Sequence, residues 1–121
     1  MSYDSDNIFA KILRGEIPCD KIYEDDFVLS FHDINPQKKI HALVIPKGKY
    51  VDLDDFNTNA SNEEIIGLMK GITTVAKKLG ISSIDGKGYR ALANISDYGG
   101  QEVPHLHFHL FGGEKIGKMV S

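Results

Sequence analysis

The run His105-Leu106-His107-Phe108-His109-Leu110-Phe111 places three of the chain's five histidines at alternate positions. Successive side chains of a β-strand point to opposite faces. A strand over 104–111 therefore turns Leu106, Phe108 and Leu110 toward a core and aligns His105, His107 and His109 on the other face. Imidazole is a nucleophile, a proton shuttle near neutral pH and a common metal ligand. Alternate strand residues lie roughly 6.5–7 Å apart, so neighbouring rings can converge on one small ligand. His107 has a histidine on each side. That suits attack by His107 on an electrophile while a neighbour handles a proton. Such a ring needs one nitrogen free and the other held by an acceptor.

Other residues extend the pattern. Gly99-Gly100-Gln101 precedes the row and Gly112-Gly113 follows it. Glycine N–H groups can hold phosphate oxygens without lysine or arginine, although glycine pairs also mark ordinary turns. His41 begins an apolar run and His32 ends one beside Asp33; either histidine has a structural reading too. The Asp33 carboxylate suits a ribose diol or, equally, a cap. A rival chemistry is zinc, because His-x-His can supply two ligands and His41 a third. No cysteine pair and no nearby acidic residue in the sequence supports it. Nucleophilic, metal-binding and purely structural readings stay open at this point.

Composition narrows the partners. The chain has 121 residues, enough for one domain with a core of its own, and a formal net charge of −3. Without a basic stripe it does not read as a dedicated DNA or RNA binder, which leaves small nucleotides open. A single cysteine, Cys19, allows no internal disulfide and fits a reduced compartment. The acidic start Met1-Ser2-Tyr3-Asp4-Ser5-Asp6 lacks the apolar region of a signal peptide. No apolar run approaches the ~20 residues of a membrane span. A cytoplasmic protein without a membrane partner is expected.

Patterning supplies the elements that must position these residues. Ile8, Phe9, Ile12 and Leu13 predict a short helix, capped by Asp6 or Asn7 and ended by Gly15 and Pro18. Residues 21–24 and 27–32 read as a hairpin around Glu24-Asp25-Asp26. His41–Ile45 reads as a buried strand closed by Pro46. Residues 47–60 read as loop with one helical turn near Leu53. Ser61 and Glu64 form a capping-box pattern ahead of a helix over 61–79, with Gly80 at its end. Tyr89–Ile95 and 104–111 read as the last two strands. The order predicts an α+β fold with two helices and a mainly antiparallel, five-stranded sheet.

Three ordered blocks resemble the histidine-triad (HIT) family. They are Asn7–Ile12 with Glu16-Ile17-Pro18, Phe31–Pro36 with His41–Lys47, and Gly100–Phe111. The Gly-Gly-Gln and Gly-Gly flanks resemble its histidine-triad nucleotide-binding (HINT) branch more than its dinucleoside-polyphosphate hydrolase branch. The resemblance implies one HIT domain over 1–121 and a homodimer whose sheets join across the two-fold axis. It implies hydrolysis of purine nucleoside phosphoramidates and related nucleotidyl conjugates, on AMP or GMP, with no metal and no cofactor. His107 would attack the α-phosphate and His109 would assist the leaving group. His105 and His41 would hold the row in place. Asn94, Gly100, Glu102 and the Val103 N–H would meet phosphate, and Asp33 the ribose. Ile8, Phe9, Ile12, Ile17, Phe31, His32 and Ile34 would surround the base. Where some members carry serine, this chain has Glu102, which at pH 7 accepts hydrogen bonds and repels phosphate. The tail from Glu114 to Ser121 is short for a family whose longer tails influence substrate choice. A nucleotide-binding adaptor with negligible catalysis is the alternative reading.

Overall fold

A computed structural model describes residues 2–119. Its elements are α1 (Ile8–Leu13), β1 (Lys21–Glu24), β2 (Val28–His32), β3 (Ile40–Pro46), α2 (Leu53–Asn59), α3 (Asn62–Lys78), β4 (Arg90–Leu92) and β5 (Phe108–Gly112). The five strands form one sheet in the order β1-β2-β3-β5-β4, with each neighbouring pair antiparallel. Strand β5 thus enters between β3 and β4, against Ile40–Val44 on one side and Arg90–Leu92 on the other.

Local chemistry explains the first elements. The Asn7 side chain accepts from the Ala10 N–H at 2.9 Å and caps α1. The Asp25 carboxylate accepts from the Phe27 and Val28 N–H groups at 2.8 and 2.9 Å, which closes the β1–β2 turn. Helix α3 opens with a complete capping box. Ser61 Oγ accepts from the Glu64 N–H, and the Glu64 carboxylate accepts from the Ser61 N–H.

Alternation along the strands divides the sheet into two faces. Val28, Ala42, Val44 and Leu110 bury against Leu68, Ile72 and Val75 of α3, with Phe56 and Leu106 filling the same cluster. Leu29, Phe31, Leu43 and Ile45 face the other way, where Phe9 of α1 covers them. Gly71 lets α3 lie close on β2. A Cβ there would stand 3.0 Å from a Val28 methyl, tighter than ordinary packing.

Three expectations need correction. Residues 47–60 hold a full helix, α2, so the described residues contain three helices rather than two. Its start signal is Asp52, whose carboxylate accepts from the Asp55 N–H at 2.8 Å, and Phe56 anchors it in the core. The strand expected at 89–95 pairs only over Arg90–Leu92. The histidine strand is also shorter: β5 begins at Phe108, so only His109 of the row lies in the ladder. Continuing the pairing would set Leu106 opposite Pro46, which has no N–H to offer. Instead the Leu106 N–H bonds Tyr50 O at 2.9 Å, and the Pro46 carbonyl accepts from the His105 ring. Side chains still alternate through this stretch, with Leu106 in the α3 cluster. No helix among the described residues is long and apolar enough to cross a membrane.

Candidate active site

Helix α1 packs over the β2–β3 side of its face, where Phe9 meets Phe31 edge-on with ring centroids 5.6 Å apart. Toward β5 and β4 the same face opens into a cleft of about 540 Å³. His41 from β3 and His109 and Phe111 from β5 rise from its floor. Phe9 forms one wall, and Asp33, Asn94, Gly100, Glu102, Val103 and His107 complete the expected residues found there.

Hydrogen bonds fix where each ring carries its proton. Gln37 N–H donates to His41 Nδ1 at 3.1 Å, so the neutral His41 ring holds its proton on Nε2. That nitrogen lies 2.9 Å from His109 Nδ1 and therefore donates to it. His109 is left with its own proton on Nε2. His107 Nδ1 is 2.7 Å from the His105 carbonyl, which only accepts, so Nδ1 donates and Nε2 keeps its lone pair. His105 Nε2 donates to the Pro46 carbonyl at 2.8 Å, and the Tyr3 hydroxyl donates to His105 Nδ1. The row thus presents a bare nitrogen on His107 and an N–H on His109, with ring centroids 5.0 Å apart.

Electrostatics keeps these rings neutral. Burial pushes His105 down to about 4, against the stabilising pull of the Pro46 carbonyl. Burial, with smaller repulsion from His107 and His41, pushes His109 to about 4 as well. His107 is lowered by burial, while its bond to the His105 carbonyl and the Asp33 and Glu102 carboxylates pull the other way. His41 is lowered by burial and partly restored by Asp33. A neutral His107 is a nucleophile at pH 7; a protonated one is not.

The remaining expected residues lie elsewhere. His105 is fully buried behind the cleft, where it supports His107 through its carbonyl. Phe31 is buried beneath Phe9, and Ile12 packs beside the same cluster. Ile17 is half-buried and His32 exposed. Ile8 and Ile34 are exposed at 46% and 91%, next in sequence to the cleft residues Phe9 and Asp33. Sequence reasoning missed several contributors. Phe111 lies 4.3 Å from His41 and stacks on His109 at 5.7 Å, centroid to centroid. Extending the alternation by one step would have found it. Gln37 acts through its backbone and Tyr3 across 102 positions of sequence, so neither left a signal.

The fold also brings a carboxylate to the row, contrary to the linear reading. Asp33 Oδ2 lies 3.4 Å from His41 Nε2. The ligand atoms of Asp33, His41 and His109 all fall within 4.8 Å of one another, a spacing that suits a divalent cation. The wiring opposes it. A metal on His41 Nε2 would displace its proton to Nδ1, where the Gln37 N–H already points. Two donors would then face each other, so the cluster fits proton relay better than ligation.

The HIT domain pattern matches residues 14–116. The chain belongs to the HIT family. An uncharacterised 13.2 kDa HIT-like protein of Azospirillum brasilense is 51% identical over 120 residues, covering 99% of this chain and 96% of that one. A purine nucleoside phosphoramidase of Escherichia coli K12 is 42% identical, covering 96% and 94%. Among solved structures, a HIT family hydrolase from Clostridium thermocellum superposes with a TM-score of 0.85 at 36% identity, covering 98% of this chain and 99% of that one. A histidine triad protein from Clostridium difficile gives 0.82 at 39% identity, covering 97% and 98%.

Proposed function

We propose that this HIT protein hydrolyses purine nucleoside 5′-phosphoramidates and related nucleotidyl conjugates through a nucleotidyl-histidine on His107. The observation that carries the reading is the opposite wiring of two adjacent rings: a lone pair on His107 Nε2 and a proton on His109 Nε2. The His107 lone pair attacks the α-phosphorus and the P–N bond to the leaving group breaks. The departing amine takes that electron pair and the His109 proton. Water then attacks phosphorus, its proton passes to His109 Nε2, and the P–N bond to His107 breaks to release the nucleotide. Covalent catalysis divides one displacement into two easier ones. The positive ring formed on His107 is stabilised by the His105 carbonyl and the Asp33 and Glu102 carboxylates.

The chemistry of the cleft and the phosphoramidase relative support a purine nucleotide. Asp33 takes the ribose diol. Asn94, Gly100 and the Val103 N–H take the phosphate, with the Glu102 carboxylate beside them at the rim. The exposed Ile8 and Ile34, beside Phe9 and Asp33, offer apolar surface to a purine, which binds broadly by stacking. A homodimer belongs to the same proposal. The outer edge of β4 is unpaired in the sheet, and Ile66 and Met69 of α3 are exposed.

The test is hydrolysis of adenosine 5′-phosphoramidate by wild type and His107→Ala, with and without chelator. Wild type should release AMP at a chelator-independent rate, and the variant should lose at least about 10³-fold in kcat while still binding AMP. Full activity in the variant removes His107 as nucleophile. AMP binding by a wild type without turnover makes the protein an adaptor.

A further inference from the structure

A cleft that receives phosphate is expected to carry cations, yet neither lysine nor arginine lines this one. Its charged lining residues are Asp33 and Glu102. Asp33 is engaged: one oxygen accepts from the Asn35 N–H at 2.8 Å and the other lies near His41. Glu102 enters none of the ion pairs among the described residues and stands exposed at the rim.

Its backbone is nonetheless held firmly. The neighbouring Gln101 side chain donates to Val51 O at 2.6 Å and to Val103 O at 3.0 Å, and accepts from the Ser96 N–H at 3.0 Å. Gly100, with φ +77°, makes the turn before it. The rim loop therefore presents an unneutralised carboxylate to the cleft from a held backbone, and its field reaches the His107 ring. Opposite charges line an adjoining groove that shares Gln37, Leu92 and Phe111 with the cleft. Those are Lys38, Lys118 and Arg90. Arg90 is committed to the Gly117 and Lys118 carbonyls, at 2.8 and 2.9 Å.

We propose that Glu102 is a specificity residue that selects the leaving group by charge. The site favours nucleotidyl amidates whose leaving amine carries a second, cationic group, and disfavours anionic leaving groups such as polyphosphates. This rests on the phosphoramidase reading. A like-charge juxtaposition costs affinity and slows encounter, and an opposite charge does the reverse. The chemistry is unchanged: the P–N bond breaks and the amine departs with the His109 proton, its distal charge untouched.

Three adenosine 5′-phosphoramidates of similar length test this. Their amines are 1,3-diaminopropane (distal ammonium), propylamine (neutral) and β-alanine (distal carboxylate). Wild-type kcat/KM should fall in that order, spanning about tenfold at low salt and narrowing as ionic strength rises. Glu102→Gln should bring the three within about twofold, and Glu102→Lys should reverse the order. An unaltered order in Glu102→Gln, or a wild-type preference for the carboxylate, overturns the proposal. Hydrolysis of the neutral amidate with no response to charge overturns it alone. Failure on both the neutral amidate and adenosine 5′-phosphoramidate overturns the phosphoramidase reading with it.

Discussion

The two faces of the sheet are made by alternate residues of the same strands, yet they are put to different uses. On the α3 face, Ala42, Val44 and Leu110 are completely buried in an apolar cluster. On the other face, their neighbours His41 and Phe111 border an open cleft. Burial there falls on polar rings as well: His41, His105 and His107 are all less than a tenth exposed. The α3 face contributes cohesion, while the cleft face keeps imidazoles neutral at a cost in hydration. One strand thus supports stability and chemistry at once, because its period of two separates them.

That division can be broken from either side. The largest expected effect is on the α3 face. Phe56→Ala should lower stability by about 3–5 kcal/mol in urea unfolding, with hydrolysis per folded molecule unchanged. Acid should attack the cleft face instead. A histidine held at about 4 when folded and near 6.5 when unfolded binds fewer protons in the native state. Stability is fully present above 6.5, declines as pH falls through that window and is lost below about 4. For His105 alone this amounts to about 3 kcal/mol, read from urea midpoints between pH 7 and 4. Tyr3→Phe should cost about 1 kcal/mol by leaving His105 Nδ1 without its donor, and should lower kcat several-fold with little change in KM. The smallest effect is Ser61→Ala. Loss of the α3 cap should cost about 0.5–1 kcal/mol in the same unfolding assay, with no kinetic change.

Much of this arrangement was legible in the chain because it depends on local rules. The Ser61–Glu64 box, the apolar face of α3 and the Asp25 turn are short-range signals, and each formed where expected. The antiparallel sheet was likewise readable; of the nine expected residues that line the cleft, His41, His107, His109, Asp33 and Gly100 stood out by type and spacing, and the other four through the HIT resemblance. What escaped depends on distant partners. The histidine strand was cut short by Pro46, which no pattern within 104–111 reveals. Asp52 does announce α2, but the Asp and Asn residues around it favour turns as readily as helix caps. The approach of Asp33 to His41 is created by the loop between β2 and β3, and proximity of that kind has no one-dimensional trace.

The contact between the Gln37 amide and His41 has a spectroscopic consequence. An amide proton bonded to an sp² ring nitrogen resonates according to whether that nitrogen holds a lone pair or a proton. Any event that moves the His41 proton, from acidification to a turnover intermediate, would turn its acceptor into a competitor and release the amide to solvent. The chemical shift and hydrogen-exchange rate of that single backbone group would then serve as a built-in gauge of proton position, readable without touching any residue of the cleft.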